Sequence, residues 1–251
     1  MKKRKILIIS HNPMNDSDNM GKTIKNIFSK FSDNELCQIF LKKQNIKSDN
    51  CNSFYSIDDI SVLKSIIKRN MKTGKEIEKK EYIFEEVSKT EERIVRTRKN
   101  KNGLIYFARD VIWKLGKWKT KELRNWINKN KPTCIIYFAG DYTFSFDITI
   151  KLSKEFKIPF FIYFSDEYYR HIKDEGGILK IYKTMYRLKF KKAMKLCSGY
   201  FCITDAMEKY YESIFYKKGT VIMNTTKLEP LPKKLNKDSI VISYIGNLGL
   251  R

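Results

Sequence analysis

Apolar runs and amphipathic stretches alternate along this chain. Lys5–Ser10 (KILIIS), Glu35–Leu41, Thr133–Ala139 (TCIIYFA), Phe160–Phe164 and Tyr200–Thr204 are short runs rich in β-branched and aromatic residues, and each predicts a buried strand. Thr220–Met223 predicts one more. Between them the period changes to that of a helix. Gly21–Phe31 puts Ile24, Ile27, Phe28 and Phe31 on one face, and Ile57–Arg69 does the same with Ile60, Leu63, Ile66 and Ile67. Phe144–Phe156, Ile178–Leu196 and Asp205–Phe215 complete the predicted helices. The strands are apolar on both sides rather than alternating, so both sheet faces must be covered. The expectation is an α/β fold: a doubly wound, mostly parallel, Rossmann-like sheet.

Two stretches break this rhythm. Lys68–Lys101 carries 12 basic and 7 acidic residues and predicts a solvated excursion. Asn224–Asp238, with Pro230, Pro232 and several lysines, predicts a linker. Ser239–Ile245 then predicts a further buried strand, followed by the glycine turn Gly246–Gly249. The expected organisation is a Rossmann-like domain over 1–223, a linker over 224–238, and the first strand of a second domain over 239–251.

Composition narrows the picture. Hydrophobic residues are 42% of the 251 and aromatics 14%, which excludes a disordered chain. Lys and Arg total 51 against 28 Asp and Glu, a net charge of +23 that favours anionic partners. Lys, Asn and Ile are abundant everywhere, so the charge reads either as a functional basic surface or as a compositional background. No recognition-helix, RRM or KH pattern accompanies it, and no nucleic-acid partner is expected. The apolar runs fall far short of the ~20 residues that span a bilayer. Met1–Lys5 is basic, but the apolar run behind it is too short for a secretory signal. Five cysteines without a C-x-x-C, and two histidines, argue against a zinc site and for a reduced, cytoplasmic setting with no metal.

Candidate chemistry gathers behind the strands. His11 and Asn12 open a long polar loop that enters a helix at Gly21-Lys22-Thr23. A helix N-terminus at a glycine suits a phosphate, although the glycine spacing of a P-loop is absent; the other reading is a tight turn. Asp141 follows the third clear strand, and Ser165-Asp166-Glu167-Tyr168-Tyr169-Arg170-His171 follows the fourth. Asp166 and Glu167 are expected to point apart, with one facing a cleft. Carboxylate and imidazole there suit sugar hydroxyls or proton transfer, and the alternative is a capping and salt-bridging turn. Trp113 and Trp118 lie among lysines, and Lys173–Lys195 holds eight basic residues against two acidic, including Lys189, Lys191 and Lys192, with Tyr182 and Tyr186 one turn apart. Both segments are expected to contact an anionic membrane surface; the alternative is that the aromatics are core and the lysines compositional.

Taken in order, "ILIISHNPMNDSDNMGKT", "KIPFFIYFSDEYY", "GYFCITDAMEKYYESIF", "VIMNTT" and "ISYIGNLGLR" resemble the N-terminal half of a GT-B glycosyltransferase, closest to retaining family-four enzymes of bacterial surface-polysaccharide synthesis. The resemblance implies transfer from a nucleotide sugar to a saccharide or lipid-linked acceptor, without an essential metal, at the inner face of the plasma membrane. It implies an acceptor-side domain here and a nucleotide-binding domain, or a partner subunit, supplying the other half. It places Gly21, Lys22 and Thr23 at the donor's phosphates or sugar, and Asp166 and His171 at the catalytic position. His11, Asn12, Asp141 and Glu167 would hold the acceptor. The family's paired glutamates belong to the second domain and are absent, so this chain alone is expected to be inactive.

Overall fold

A computed structural model describes residues 4–68, 71–84, 103–169 and 177–224. The predicted linker beyond Asn224, the strand predicted at 239–245, Arg170 and His171 lie outside these residues. The strands are β1 (Ile6–Ser10), β2 (Leu36–Phe40), β3 (Ile46–Lys47), β4 (Phe54–Ser56), β5 (Lys75–Ile77), β6 (Glu81–Tyr82), β7 (Cys134–Phe138), β8 (Phe160–Phe164), β9 (Gly199–Cys202) and β10 (Thr220–Val221). The helices are α1 (Asn19–Ile27), α2 (Asp59–Ile67), α3 (Gly103–Leu115), α4 (Lys121–Asn130), α5 (Thr143–Phe156), α6 (Ile178–Leu196) and α7 (Asp205–Phe215).

Eight strands form one sheet in the order β10-β9-β8-β7-β1-β2-β4-β5. All neighbours pair in parallel except β4 and β5. The five strands predicted most clearly are all in it. Successive side chains leave a strand on opposite faces, and the core divides accordingly. Leu7, Ile9, Ile135, Tyr137, Ile162 and Phe164 join α2 to α7 on one face. Ile8, Phe40, Phe138 and Tyr163 meet Ile24 and Phe28 of α1 on the other. The sheet is doubly wound and mostly parallel, as the apolar strands required.

The charged excursion is only partly a loop. β5 runs back along β4 and buries Ile77, while β6 pairs with β3. These strands are two or three residues long, too short to announce themselves by pattern.

A buried ion pair ties the helical layer together. Arg109 Nη2 of α3 lies 3.0 Å from Asp59 Oδ2, at the start of α2. Trp113 Nε1 donates to Asp59 Oδ1 at 2.6 Å. The Trp113 ring stacks on Phe144 of α5 at 4.5 Å, and the Arg109 guanidinium sits 3.8 Å from the Tyr142 ring centroid. This corrects the membrane assignment of the tryptophans. Trp113 is 1% exposed and Trp118 is 5% exposed, both inside the main core. Val111 and Leu115 of α3 are exposed instead; α3 stops at Leu115 and Trp118 packs beyond it.

Removing one partner of a buried pair leaves an uncompensated charge. Asp59→Ala should lower unfolding stability by about 3–5 kcal/mol. Asp59→Ala combined with Arg109→Met should cost less than Asp59→Ala alone. Urea denaturation of both variants checks this; a double variant weaker than the single one would contradict it.

Candidate functional site

The chain leaves β1 toward β2 and β4, then returns to build β7, β8, β9 and β10 on the other side. β1 and β7 are therefore neighbours whose following loops diverge. In an open parallel sheet this is where a crevice forms, at the carboxyl ends of the strands. The two loops meet where the His11 ring lies 4.7 Å from the Tyr142 ring, tilted by 41°. His11, Asp141 and Asp166 thus share one sheet edge, behind β1, β7 and β8.

Buried polar groups shape the β1 loop. Gln38 is a lone polar residue inside β2, fully buried. Its amide donates to Ser10 Oγ at 2.8 Å and to the Asn12 carbonyl at 3.2 Å, and its oxygen accepts the Met14 amide at 3.0 Å. Asp18 holds the far end. It accepts from Asn12 Nδ2 at 2.8 Å, Asn15 Nδ2 at 2.7 Å, Gln44 Nε2 at 2.7 Å and the Gly21 amide at 2.8 Å. Burial pushes the Asp18 carboxyl upward, but these hydrogen bonds outweigh it and hold the group below its ordinary value.

Gly21 consequently has a different local role from the one the resemblance implies. Its amide is committed to the Asp18 carboxylate, which caps α1. A phosphate approaching the first turn would meet that negative charge. Gly21 lacks a side chain because a Cβ would fall 2.7 Å from the Asn15 side chain. Lys22 is exposed, and Thr23 Oγ1 accepts from Asn224 Nδ2 at 3.1 Å. Asn12 is likewise turned into the loop by its bond to Asp18.

The β7 loop is fixed by two tyrosines of α6. The Tyr182 hydroxyl donates to the Asp141 carbonyl at 2.8 Å and accepts the Thr143 amide at 3.3 Å. The Tyr186 hydroxyl donates to the Gly140 carbonyl at 2.9 Å. Burial raises the pKa of both phenols, so they stay protonated and remain donors. The sequence placed these tyrosines at a membrane; they are buried and serve the loop. Lys189 also turns inward, 2.6 Å from Asp147 Oδ2 and 3.1 Å from Thr143 Oγ1, which removes it from a membrane-facing set. Lys191 and Lys192 are exposed.

Behind β8 the adjacent carboxylates have different partners. Asp166 is exposed, and its Oδ1 accepts the Glu167 amide at 2.9 Å. Glu167 Oε1 accepts the Tyr169 amide at 2.9 Å and the Tyr211 hydroxyl of α7 at 3.3 Å. Glu167 therefore braces the turn against α7. The exposed carboxylates at the crevice are Asp141 and Asp166. Among the described residues no group of three or more His, Cys, Asp and Glu side chains comes together as metal ligands. Gln38 and Asp18 were missed; a single polar residue inside an apolar strand, and an Asp three residues before a helical glycine, were the available signals.

No family model matches the chain, and no curated protein sequence matches it.

Asp18→Ala should cost about 1–2 kcal/mol at neutral pH, the usual range for a lost N-cap. Because the folded-state pKa is depressed, the stabilisation is present above the unfolded value near 4 and is lost as pH falls through the folded value. The gap between wild type and variant should therefore close on acidification below pH ~4. Thermal unfolding of both proteins across this range checks the sign.

Proposed function

We propose that this chain is the acceptor-side domain of a GT-B glycosyltransferase, with the β1/β7 crevice holding a saccharide. One observation carries the reading: at the switch point of a doubly wound sheet, two hydroxyl donors from α6 hold the carbonyls of Gly140 and Asp141, on the backbone next to Tyr142, whose ring meets His11. A sugar ring needs this kind of surface. Exposed carboxylates accept its hydroxyl protons, and aromatic faces such as those of His11 and Tyr142 cover its C–H face. Asp166, one strand further along the edge, is the group best placed to take a hydroxyl proton from an acceptor. The nucleotide sugar is held by a second domain or subunit in this reading, and the carboxylate at the start of α1 agrees with a crevice that does not itself bind the donor's phosphates.

Saturation-transfer NMR with a panel of oligosaccharides tests the reading. At least one is expected to bind, and His11→Ala with Asp141→Ala should weaken it tenfold or more. The same panel with nucleotide sugars should give no turnover by these 251 residues alone. Failure of every saccharide to bind, or indifference to the double substitution, would remove the acceptor assignment.

The acceptor domain is also proposed to lie against an anionic membrane, through residues other than those the sequence picked. α3 exposes Leu104, Phe107, Val111 and Leu115 at helical spacing, Leu104 by 55% and Leu115 by 63%. α6 packs beside it and exposes Ile178, Ile181 and Leu188. α6 contains no acidic residue, and Lys180, Arg187, Lys191 and Lys192 are exposed on it. No described helix is long and apolar enough to cross a membrane. Apolar side chains flanked by cations suit the interface, where each basic residue is worth about 1 kcal/mol near an anionic leaflet. Flotation with anionic vesicles should show binding that salt weakens. Phe107→Asp with Leu115→Asp should abolish it, and Lys191→Glu with Lys192→Glu should reduce it. Equal behaviour toward neutral and anionic vesicles would exclude this contact.

A further inference from the structure

Helices ordinarily carry Ser, Thr, Asp or Asn just before their first turn, where the side chain accepts a free backbone amide. α1, α2, α4 and α7 follow that rule with Asp18, Asp58, Thr120 and Thr204. α5 does not. Its cap position is Tyr142, whose side chain makes no capping hydrogen bond.

The missing acceptor comes from another helix. Asp110 of α3 is 7% exposed. Its Oδ1 accepts the Phe144 amide at 3.1 Å, and its Oδ2 accepts the Thr143 hydroxyl. Lys189 of α6 donates to the same Thr143 oxygen at 3.1 Å and reaches Asp147 Oδ2 at 2.6 Å. Burial raises the Asp110 pKa, against the pull of Thr143, Lys189 and the Phe144 amide. α5 is thus capped from α3, by a buried carboxylate remote in sequence.

With the cap supplied from α3, position 142 can carry a ring. Tyr142 is half-buried, and its ring centroid lies 4.7 Å from that of His11 and 5.7 Å from that of Tyr106. The Arg109 guanidinium lies 3.8 Å from the same ring. Tyr106, Arg109 and Asp110 are three and four residues apart and share one face of α3. That face meets both the Tyr142 ring and the backbone that follows it.

We propose that Asp110 is the positioning residue of the crevice: by capping α5 from α3 it fixes the backbone at 143 and 144, and it leaves residue 142 to serve as an aromatic platform beside His11. The consequence for saccharide binding rests on the acceptor reading above. The placement of the Tyr142 ring does not.

Three measurements on the full chain test the proposal: the urea unfolding midpoint, the nuclear Overhauser cross-peak between the His11 and Tyr142 rings, and saccharide affinity by saturation-transfer NMR. Asp110→Ala should lower the midpoint, abolish the cross-peak and weaken saccharide binding tenfold or more. In Asp110→Asn the amide oxygen can still accept from Phe144 and the amide nitrogen can donate to Thr143 Oγ1. That variant should keep the cross-peak and most of the affinity. Asp110→Ala with Tyr142→Asp returns an acceptor to the local cap position. It should recover most of the lost midpoint, or folding itself where Asp110→Ala alone is unfolded, and it should not recover saccharide binding, because the ring is gone. A folded Asp110→Ala protein with an intact cross-peak would overturn the proposal and leave Asp110 a contributor to stability alone. So would a double variant no more stable than Asp110→Ala. If no saccharide binds the unsubstituted protein, the acceptor reading falls, and the midpoint and the cross-peak still decide the role of Asp110.

Discussion

Two opposed crossovers leave β1 and β7 side by side as parallel neighbours, and the rest of the molecule is arranged around that pair. A parallel sheet must be covered on both faces, because every strand side chain leaves into a hydrophobic layer. The polar loops that join strands to helices lie at the strand ends. There the β1 loop and the β7 loop separate, and His11 meets Tyr142 across the gap. The switch point is a consequence of winding direction, and its chemistry depends on whatever loop residues that winding collects.

The loops are not left to find their own conformations. Gln38, buried in β2, satisfies three polar groups of the β1 loop, and Asp18 collects four donors at its far end. On the other side Tyr182 and Tyr186 reach from α6 to consecutive carbonyls. Each of these groups would be costly to bury alone, and each is paired. The same logic governs Asp59, Arg109 and Trp113, where charge, indole and aromatic stacking join α2, α3 and α5. α6 therefore has two faces with different tasks. Its buried face holds the loop beside the crevice, while its outer face is basic and partly apolar. A ligand in the crevice and a surface against the outer face would bear on the same helix.

The excess positive charge is also unevenly placed. Lys25, Lys47, Lys80, Lys129 and Lys189 lie in ion pairs with carboxylates. α6 itself has no acidic residue.

The strands at 5–10, 35–41, 133–139, 160–164 and 200–204, and hence the doubly wound parallel sheet, were legible in the sequence. A strand buried on both faces has to be apolar at every position, and that pattern is local. The fates of Trp113, Trp118, Tyr182, Tyr186, Lys189 and Glu167 were not local. A tryptophan beside lysines fits either a membrane or a core, and only the meeting of α3 with α2 and α5 buried it. A tyrosine one turn from another fits either an outer surface or an inner one, and only the position of the β7 loop gave both hydroxyls their carbonyls. β5 and β6, two or three residues long, exist because β4 and β3 offer them edges. Periodicity along the chain determined which segments are buried; contacts between residues far apart in sequence decided what each buried polar or aromatic group does there.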